Sequence, residues 1–210
     1  GGLCGVNDCS FHAHGNGTIG HMVSTYAIRL YAWSAYAFCD DSLQSTMNGY
    51  FDVDSRFEWL DKIIRPKLLE LKTLQEKISF TEQALLKRLS DVRENTVVND
   101  TIQNILINKG SLDIAKLAKK SFVSTRQLER LFHEYVGITP KKLSNLIRYQ
   151  FLWRDILCEP DFDVLSAVYK FGYTDQSHLL REFKRYHSMD IHNARIMAFK
   201  DVGNIQDVFV

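Results

Sequence analysis

One unit of sequence occurs twice in this chain of 210 residues, and any fold must accommodate both copies. The second copy is the more explicit. Phe171-Gly172-Tyr173-Thr174-Asp175-Gln176-Ser177-His178 reads as a tight glycine turn that feeds a short amphipathic helix. Leu179, Phe183 and Tyr186 recur at i, i+4 and i+7, so they share one helical face. Gln176, Ser177, Arg181, Lys184 and Arg185 are left on the free face. Thr174 and Asp175 each carry a side-chain oxygen suited to capping the first turn. Upstream, Val164, Ala167 and Val168 predict a shorter helix packed across the turn. A short helix, a turn and a second helix with amides and guanidinium groups outward is the plan of a helix-turn-helix.

The first copy follows the same plan. Leu117-Ala118 corresponds to Ala167-Val168 at an offset of fifty residues, and after the turn the offset becomes fifty-one. Ser124 then matches Asp175, Leu128 matches Leu179, Arg130 matches Arg181, Phe132 matches Phe183 and Tyr135 matches Tyr186. Ser124-x-x-Gln127 predicts a capping box at the start of this helix. Its core face is Leu128, Leu131, Phe132 and Tyr135, and Thr125, Arg126, Glu129, Arg130 and His133 face out. Val98, Ile102, Ile105 and Leu106 stripe a preceding helix that ends near Lys109-Gly110. Between the units, Thr139-Pro140 starts a helix with an N-cap and a proline at the first position. That helix runs through Leu143, Ile147, Phe151, Leu152 and Ile156 and stops at Glu159-Pro160.

Two such units joined by one long helix resemble the AraC/XylS family of bacterial transcription regulators. Gly172-Tyr173-Thr174-Asp175-Gln176-Ser177-His178-Leu179, with Arg181-Glu182-Phe183-Lys184, is similar to the family's most specific signature. The resemblance covers about Val97 to Ala198. It implies sequence-specific binding of double-stranded DNA, regulation of transcription as an activator or a repressor, no catalysis, no cofactor and a cytoplasmic site. It puts Thr125, Arg126, Glu129 and Arg130 of the first unit on base edges, and Gln176, Ser177 and Arg181 of the second. Lys184, Arg185 and His178 fall near phosphate by the same resemblance. The chemistry agrees, because glutamine can pair bidentately with adenine and arginine with guanine in the major groove. RNA polymerase, a small-molecule effector and a second copy of the chain are further partners that the resemblance admits. The family usually has Gly and Pro where Ser188 and Ile191 stand, which predicts a looser end to the second recognition helix.

Charge follows the repeat. The formal net charge is +1. Residues 1–96 carry 10 Lys+Arg against 12 Asp+Glu, whereas residues 97–200 carry 16 against 11. The basic excess therefore lies on the repeated segment, as a polyanionic partner requires. No run of eighteen apolar residues is present, which argues against a membrane span. The chain opens Gly1-Gly2 without a secretory signal and reads as a fragment of a longer one.

The expected organisation is mainly α: residues 1–95 as a truncated, β-containing α+β domain for sensing or oligomerisation, 96–200 as the double helix-turn-helix, and 201–210 as a tail. Within the first part, the aromatic run from Thr25 to Phe38, with Tyr26, Tyr31 and Trp33, suggests strand. Asp54 is placed to cap a helix containing Phe57, Leu60, Ile63 and Ile64, which Pro66 interrupts. Leu68, Leu71 and Leu74 continue the stripe, and Ser79-x-x-Glu82 reads as a capping box. Cys4, Cys9, Cys39 and Cys158 show no disulfide framework and fit a reducing compartment. Cys4, Cys9, His12, His14 and Cys39 raise an alternative function: a metal-thiolate alkyl-transfer or sensor domain fused to the same DNA-binding half. Their C-x4-C-x2-H-x-H spacing lacks the paired Cys-x2-Cys hairpins of structural zinc sites, so no metal is expected. A ligand-sensing role for residues 1–95 is the third class.

Overall fold

The computed structural model describes residues 2–7, 26–39, 43, 47–52, 57–89 and 95–200. These residues are mainly helical. Strand is confined to one antiparallel ladder, β1 (Gly2–Cys4) against β2 (Tyr50–Asp52), with Leu3 opposite Phe51.

The aromatic run is not a strand. Residues 26–30 have no regular structure, 32–34 form a turn, and Ala35–Phe38 form one 3-10 turn. The rings pack individually instead of alternating across a sheet. Tyr31 stacks on Trp33 at 4.8 Å, and Phe38 is buried with Ala37, Leu43 and Phe57. Tyr26 donates its hydroxyl to Thr81 Oγ1 at 3.1 Å.

Two further expectations for this half need correcting, and Asp54 lies outside the described residues. Pro66 does not interrupt its helix. A π-helical stretch, Leu60–Ile64, runs directly into α1 (Arg65–Glu70), and Arg65 N–H bonds back to Leu60 C=O. The wider turn brings Pro66 to the start of the following α-helix, where its missing N–H is harmless. The stripe does break, at Leu71, before α2 (Leu74–Leu89) begins. The capping box there is Thr73 with Glu76, not Ser79 with Glu82. Glu76 N–H donates to Thr73 Oγ1 at 3.2 Å and Thr73 N–H donates to Glu76 Oε2 at 2.9 Å. Ser79 lies inside α2.

From Asn95 onward the sequence and the structure agree closely. Asn95 caps α3 (Thr96–Ile107), Asp113 caps α4 (Ile114–Lys120), and Ser124 caps α5 (Thr125–Tyr135). Thr139 then caps α6 (Pro140–Cys158), Asp163 caps α7 (Val164–Phe171), and Asp175 caps α8 (Gln176–His187). Each cap side chain accepts a first-turn N–H, the group a helix leaves unsatisfied. α9 (Ile191–Lys200) starts at Asp190, whose Oδ1 accepts from Asn193 N–H at 2.9 Å.

Two cores result, and α6 belongs to both. Its first half sends Leu143 and Ile147 into a cluster with Ile102, Ile105, Leu128 and Phe132. Its second half sends Leu152 and Ile156 into a cluster with Val168, Phe171, Leu179 and Phe183. Nineteen residues of α-helix measure about 28 Å, so one rigid rod joins the two units. Burying a side chain such as Phe132 or Phe183 contributes roughly 1.5–3 kcal/mol. No helix among the described residues is long and apolar enough to cross a membrane.

The end of α8 is not loose. Ser188 takes the left-handed conformation at φ +57, as Gly137 does at φ +81 in the first unit. Ser188 N–H closes on Lys184 C=O at 2.7 Å. Asp190 replaces the Thr139 cap, so the missing glycine and proline have local substitutes.

Candidate nucleic-acid interface

α5 and α8 are built alike. In each, two side chains one turn apart are fully buried, Leu128 with Phe132 and Leu179 with Phe183. Fixing that face rotates the other outward. Thr125, Arg126, Glu129 and Arg130 are exposed on α5, and Gln176, Ser177, Arg181, Lys184 and Arg185 are exposed on α8. The caps then fix where each helix starts. Gln127 N–H donates to Ser124 Oγ at 3.2 Å, and Ser124 N–H donates back to Gln127 Oε1 at 2.8 Å. His178 N–H donates to Asp175 Oδ1 at 2.7 Å.

His178 behaves differently from the others. It is half-buried, its ring lies edge-on to Tyr173 at 5.2 Å, and Nδ1 faces Thr174 N–H at 3.5 Å. It is half turned inward, where Lys184 and Arg185 are fully outward.

The sequence reading missed the group that holds α8 in place. Arg148 of α6 is buried and donates to both carboxylate oxygens of Glu182, at 3.0 and 2.8 Å from Nη2. Tyr173 donates its hydroxyl to Glu182 Oε1 at 2.7 Å, and its ring lies 4.2 Å below the guanidinium carbon. Burial opposes the charge on Arg148, but the hydrogen bond and charge of Glu182 outweigh it and raise its pKa. Burial, then the Glu182 charge, push the Tyr173 phenol far up, so it remains a donor. Glu182 and Tyr173 stand nine residues apart in the signature stretch, but Arg148 lies 34 residues upstream of Glu182. No local pattern pairs them.

A second anchor closes the far end of α8. His187 packs against Phe183 at 4.4 Å and Trp153 at 4.3 Å, with Tyr149 at 5.6 Å. Burial among these rings lowers its pKa to about 4, so it is neutral at physiological pH. In the first unit, the corresponding helix end meets residues of the N-terminal half. Tyr36 lies edge-on to Tyr135 at 5.0 Å, and Lys142 Nζ donates to Met47 Sδ at 3.2 Å. The Leu43 backbone crosses Gly137 closely enough that a Cβ there would meet its carbonyl oxygen at 2.8 Å.

Of the thiol and imidazole groups singled out as metal ligands, Cys4 is exposed and Cys39 is half-buried. Cys9, His12 and His14 lie outside the described residues. No group of three or more ligand-type side chains suited to a metal occurs among the described residues.

The geometry accords with comparisons to known proteins. Residues 117–195 match the family model for a helix-turn-helix domain. An uncharacterized HTH-type transcriptional regulator of Haemophilus influenzae is 26% identical over 111 residues, covering 53% of this chain. The match spans 36% of that protein's length. No solved structure gives a significant match. With two capped, half-buried helices repeated about a shared rod, and with that match across both, residues 117–195 are an AraC-type helix-turn-helix domain.

Proposed function

We propose that the chain is a sequence-specific DNA-binding transcription regulator in which residues 96–200 bind DNA and residues 1–95 sense or oligomerise. α5 and α8 act as two recognition helices in successive major grooves. Thr125, Arg126, Glu129 and Arg130 read bases from the first unit, and Gln176, Ser177 and Arg181 read them from the second. Lys184 and Arg185 hold phosphates. His178 assists them from the first turn of α8.

The observation that carries this reading is the repetition of one exposed polar face about a single rod. One short helix offers few good bidentate contacts, each worth about 1–3 kcal/mol of discrimination. Specific and non-specific binding typically differ by about 4–10 kcal/mol. Two units on one rigid helix can add their contributions if their helices enter grooves about 34 Å apart. The name of the Haemophilus relative supports the regulatory part of the reading.

Binding selection and footprinting on Arg130→Ala and Arg181→Ala test it. Each variant should relax preference at one base position, and the two positions should lie about 10 base pairs apart. If both variants alter the same position, or neither alters any, the two-helix reading fails.

A further inference from the structure

The two turns draw their left-handed residue from different side chains. Each needs a left-handed backbone after its short helix, supplied by Gly172 at φ +67 in the second unit and by Phe122 at φ +56 in the first. The hydrogen bonds are equivalent: Tyr173 N–H to Val168 C=O at 2.9 Å, and Val123 N–H to Ala118 C=O at 3.1 Å. Glycine takes this conformation without strain, and a bulky side chain does not. Burial gives Phe122 nothing in return, because the residue is 98% exposed. The fold therefore has no use for the ring. A strained aromatic residue, fully in water and two positions before the cap of a recognition helix, points to a partner outside the chain.

Its neighbours indicate which partner. Lys119 and Lys120, in the last turn of α4, are exposed, and neither ammonium group is paired among the described residues. At the offset of fifty, the second unit has Tyr169 and Lys170. Lys170 is already engaged by Asp155 and Glu159. The first turn thus presents an apolar ring beside two free cations, whereas the second presents a glycine and a neutralised lysine. Alternating phosphates and deoxyribose rings match the first pattern, since phosphates answer the lysines and the sugar face answers the ring. A recognition helix enters the groove by its N-terminal end, so the turn before it lies at the groove's lip.

We propose that Phe122, with Lys119 and Lys120, grips the sugar–phosphate backbone beside the first recognition helix, making the first unit the anchoring half. This rests on the DNA-binding reading above. The strained ring is retained for binding at the expense of the fold.

Titrations of the full chain against a random-sequence duplex and the duplex recovered by binding selection, at several salt concentrations, test it. Phe122→Gly and Phe122→Asn, both compatible with the left-handed backbone, should weaken both duplexes about fivefold, leave the salt slope unchanged and melt no lower than the parent. Phe122→Tyr should keep most of the affinity. Lys119→Gln and Lys120→Gln should each reduce the salt slope by about one unit, and Lys170→Gln should leave it unchanged. Parent-like binding by Phe122→Gly overturns the proposal. So does a loss confined to the selected duplex, a lower melting temperature in both Phe122→Gly and Phe122→Asn, or a slope change in Lys170→Gln equal to that of Lys120→Gln. Failure of the parent chain to bind either duplex would instead remove the DNA-binding reading itself.

Discussion

Arg148 and Glu182 stand 34 residues apart and meet through a two-toothed ion pair at 2.8 Å, with only 7% and 9% of their side chains exposed. The pair ties the shared helix α6 to α8. Leu179 and Phe183, beside Glu182 on the inward part of α8, are held in the second core, so apolar packing and the ion pair together fix its rotation about its own axis. The presentation of Gln176, Ser177 and Arg181 depends on that fixation.

Removing one partner should expose how the pair is used. Glu182→Leu leaves the Arg148 guanidinium buried with no counter-charge, and is expected to destabilise by about 3–5 kcal/mol. Arg148→Met/Glu182→Leu removes both charges and should recover part of that loss, the remainder reflecting the buried Tyr173 hydroxyl left without its Glu182 acceptor. Urea unfolding of the parent, both single variants and the double variant gives the coupling energy directly. A double variant as unstable as the sum of the singles would show that the two side chains act independently.

The interface between α3 and α6 makes a second demand. Gly110 has φ +73, and a Cβ there would meet the Ser144 carbonyl oxygen at 2.1 Å and Arg148 N at 2.6 Å. Ser144 Oγ also donates to Gly110 C=O at 2.7 Å. Gly110→Ala must therefore push the turn off α6 as well as strain its own backbone, and should cost more than the roughly 1 kcal/mol of a left-handed alanine alone. Thermal unfolding is the measurement, with exposed Gly172→Ala, where the nearest obstacle is the Ser111 hydroxyl, as the milder comparison.

Much of this arrangement was legible in the sequence because its determinants are local. A cap acts three residues away and a helical face repeats every three or four, so Ser124, Thr139, Asp175, Leu128 and Phe183 could each be placed from their neighbours. What was not legible acts over distance or substitutes for a familiar residue. Arg148 looks like any charge on an amphipathic helix until α8 is laid across it. Ser188 does the work of a glycine, and Phe122 does too. In the N-terminal half, the aromatic run offered β-type residues, but these rings are held by contacts to α2 and to one another rather than by a neighbouring strand. Near Leu74, Thr73-x-x-Glu76 and Ser79-x-x-Glu82 satisfy the same capping rule, and the break at Leu71 selects the first.

His187 predicts a pH dependence with a definite sign. Its folded-state pKa, lowered by burial to about 4, lies below the ordinary value of 6.5. The unfolded state therefore binds the proton first, and stability is lost as pH falls from about 6.5 towards 4. The loss amounts to at most about 3 kcal/mol, less for whatever solvent reaches the ring. Trp153, in contact with the imidazole, reports the second unit by its fluorescence. Replacing His187 by Phe should flatten the part of the acid limb that this group supplies. If the limb is unchanged in that variant, His187 is not its source.

Phosphate contacts and base contacts should separate in salt titrations. Lys184→Ala and Arg185→Ala are expected to weaken all duplexes alike and to lower the salt slope by about one unit each. Arg130→Ala and Arg181→Ala should instead lose discrimination between sequences. A change in sequence preference from Lys184→Ala would mean that this side chain reaches a base edge and that the assignment along α8 must be shifted.

The final prediction concerns how far residues 96–200 can stand alone. Both cores are completed almost entirely from within that segment, which argues that it folds by itself. The N-terminal half nevertheless lends Trp33, Met47 and Val6 to the edge of the first core and sets Leu43 against Gly137. Cutting at residue 96 would return those apolar contacts to water on the first unit and leave the second untouched. The isolated segment should therefore keep specific DNA binding but melt several degrees lower, since about 1 kcal/mol shifts a domain of this size by roughly 4–8 °C. The lost stability should be confined to the first unit: amide exchange should speed up in α5 and the start of α6, around Tyr135, Gly137 and Lys142, while α8 and its Arg148–Glu182 tie are unchanged. An isolated segment that is unfolded, or one whose exchange rises first in α8, would show that the boundary near residue 95 does not separate two folding units.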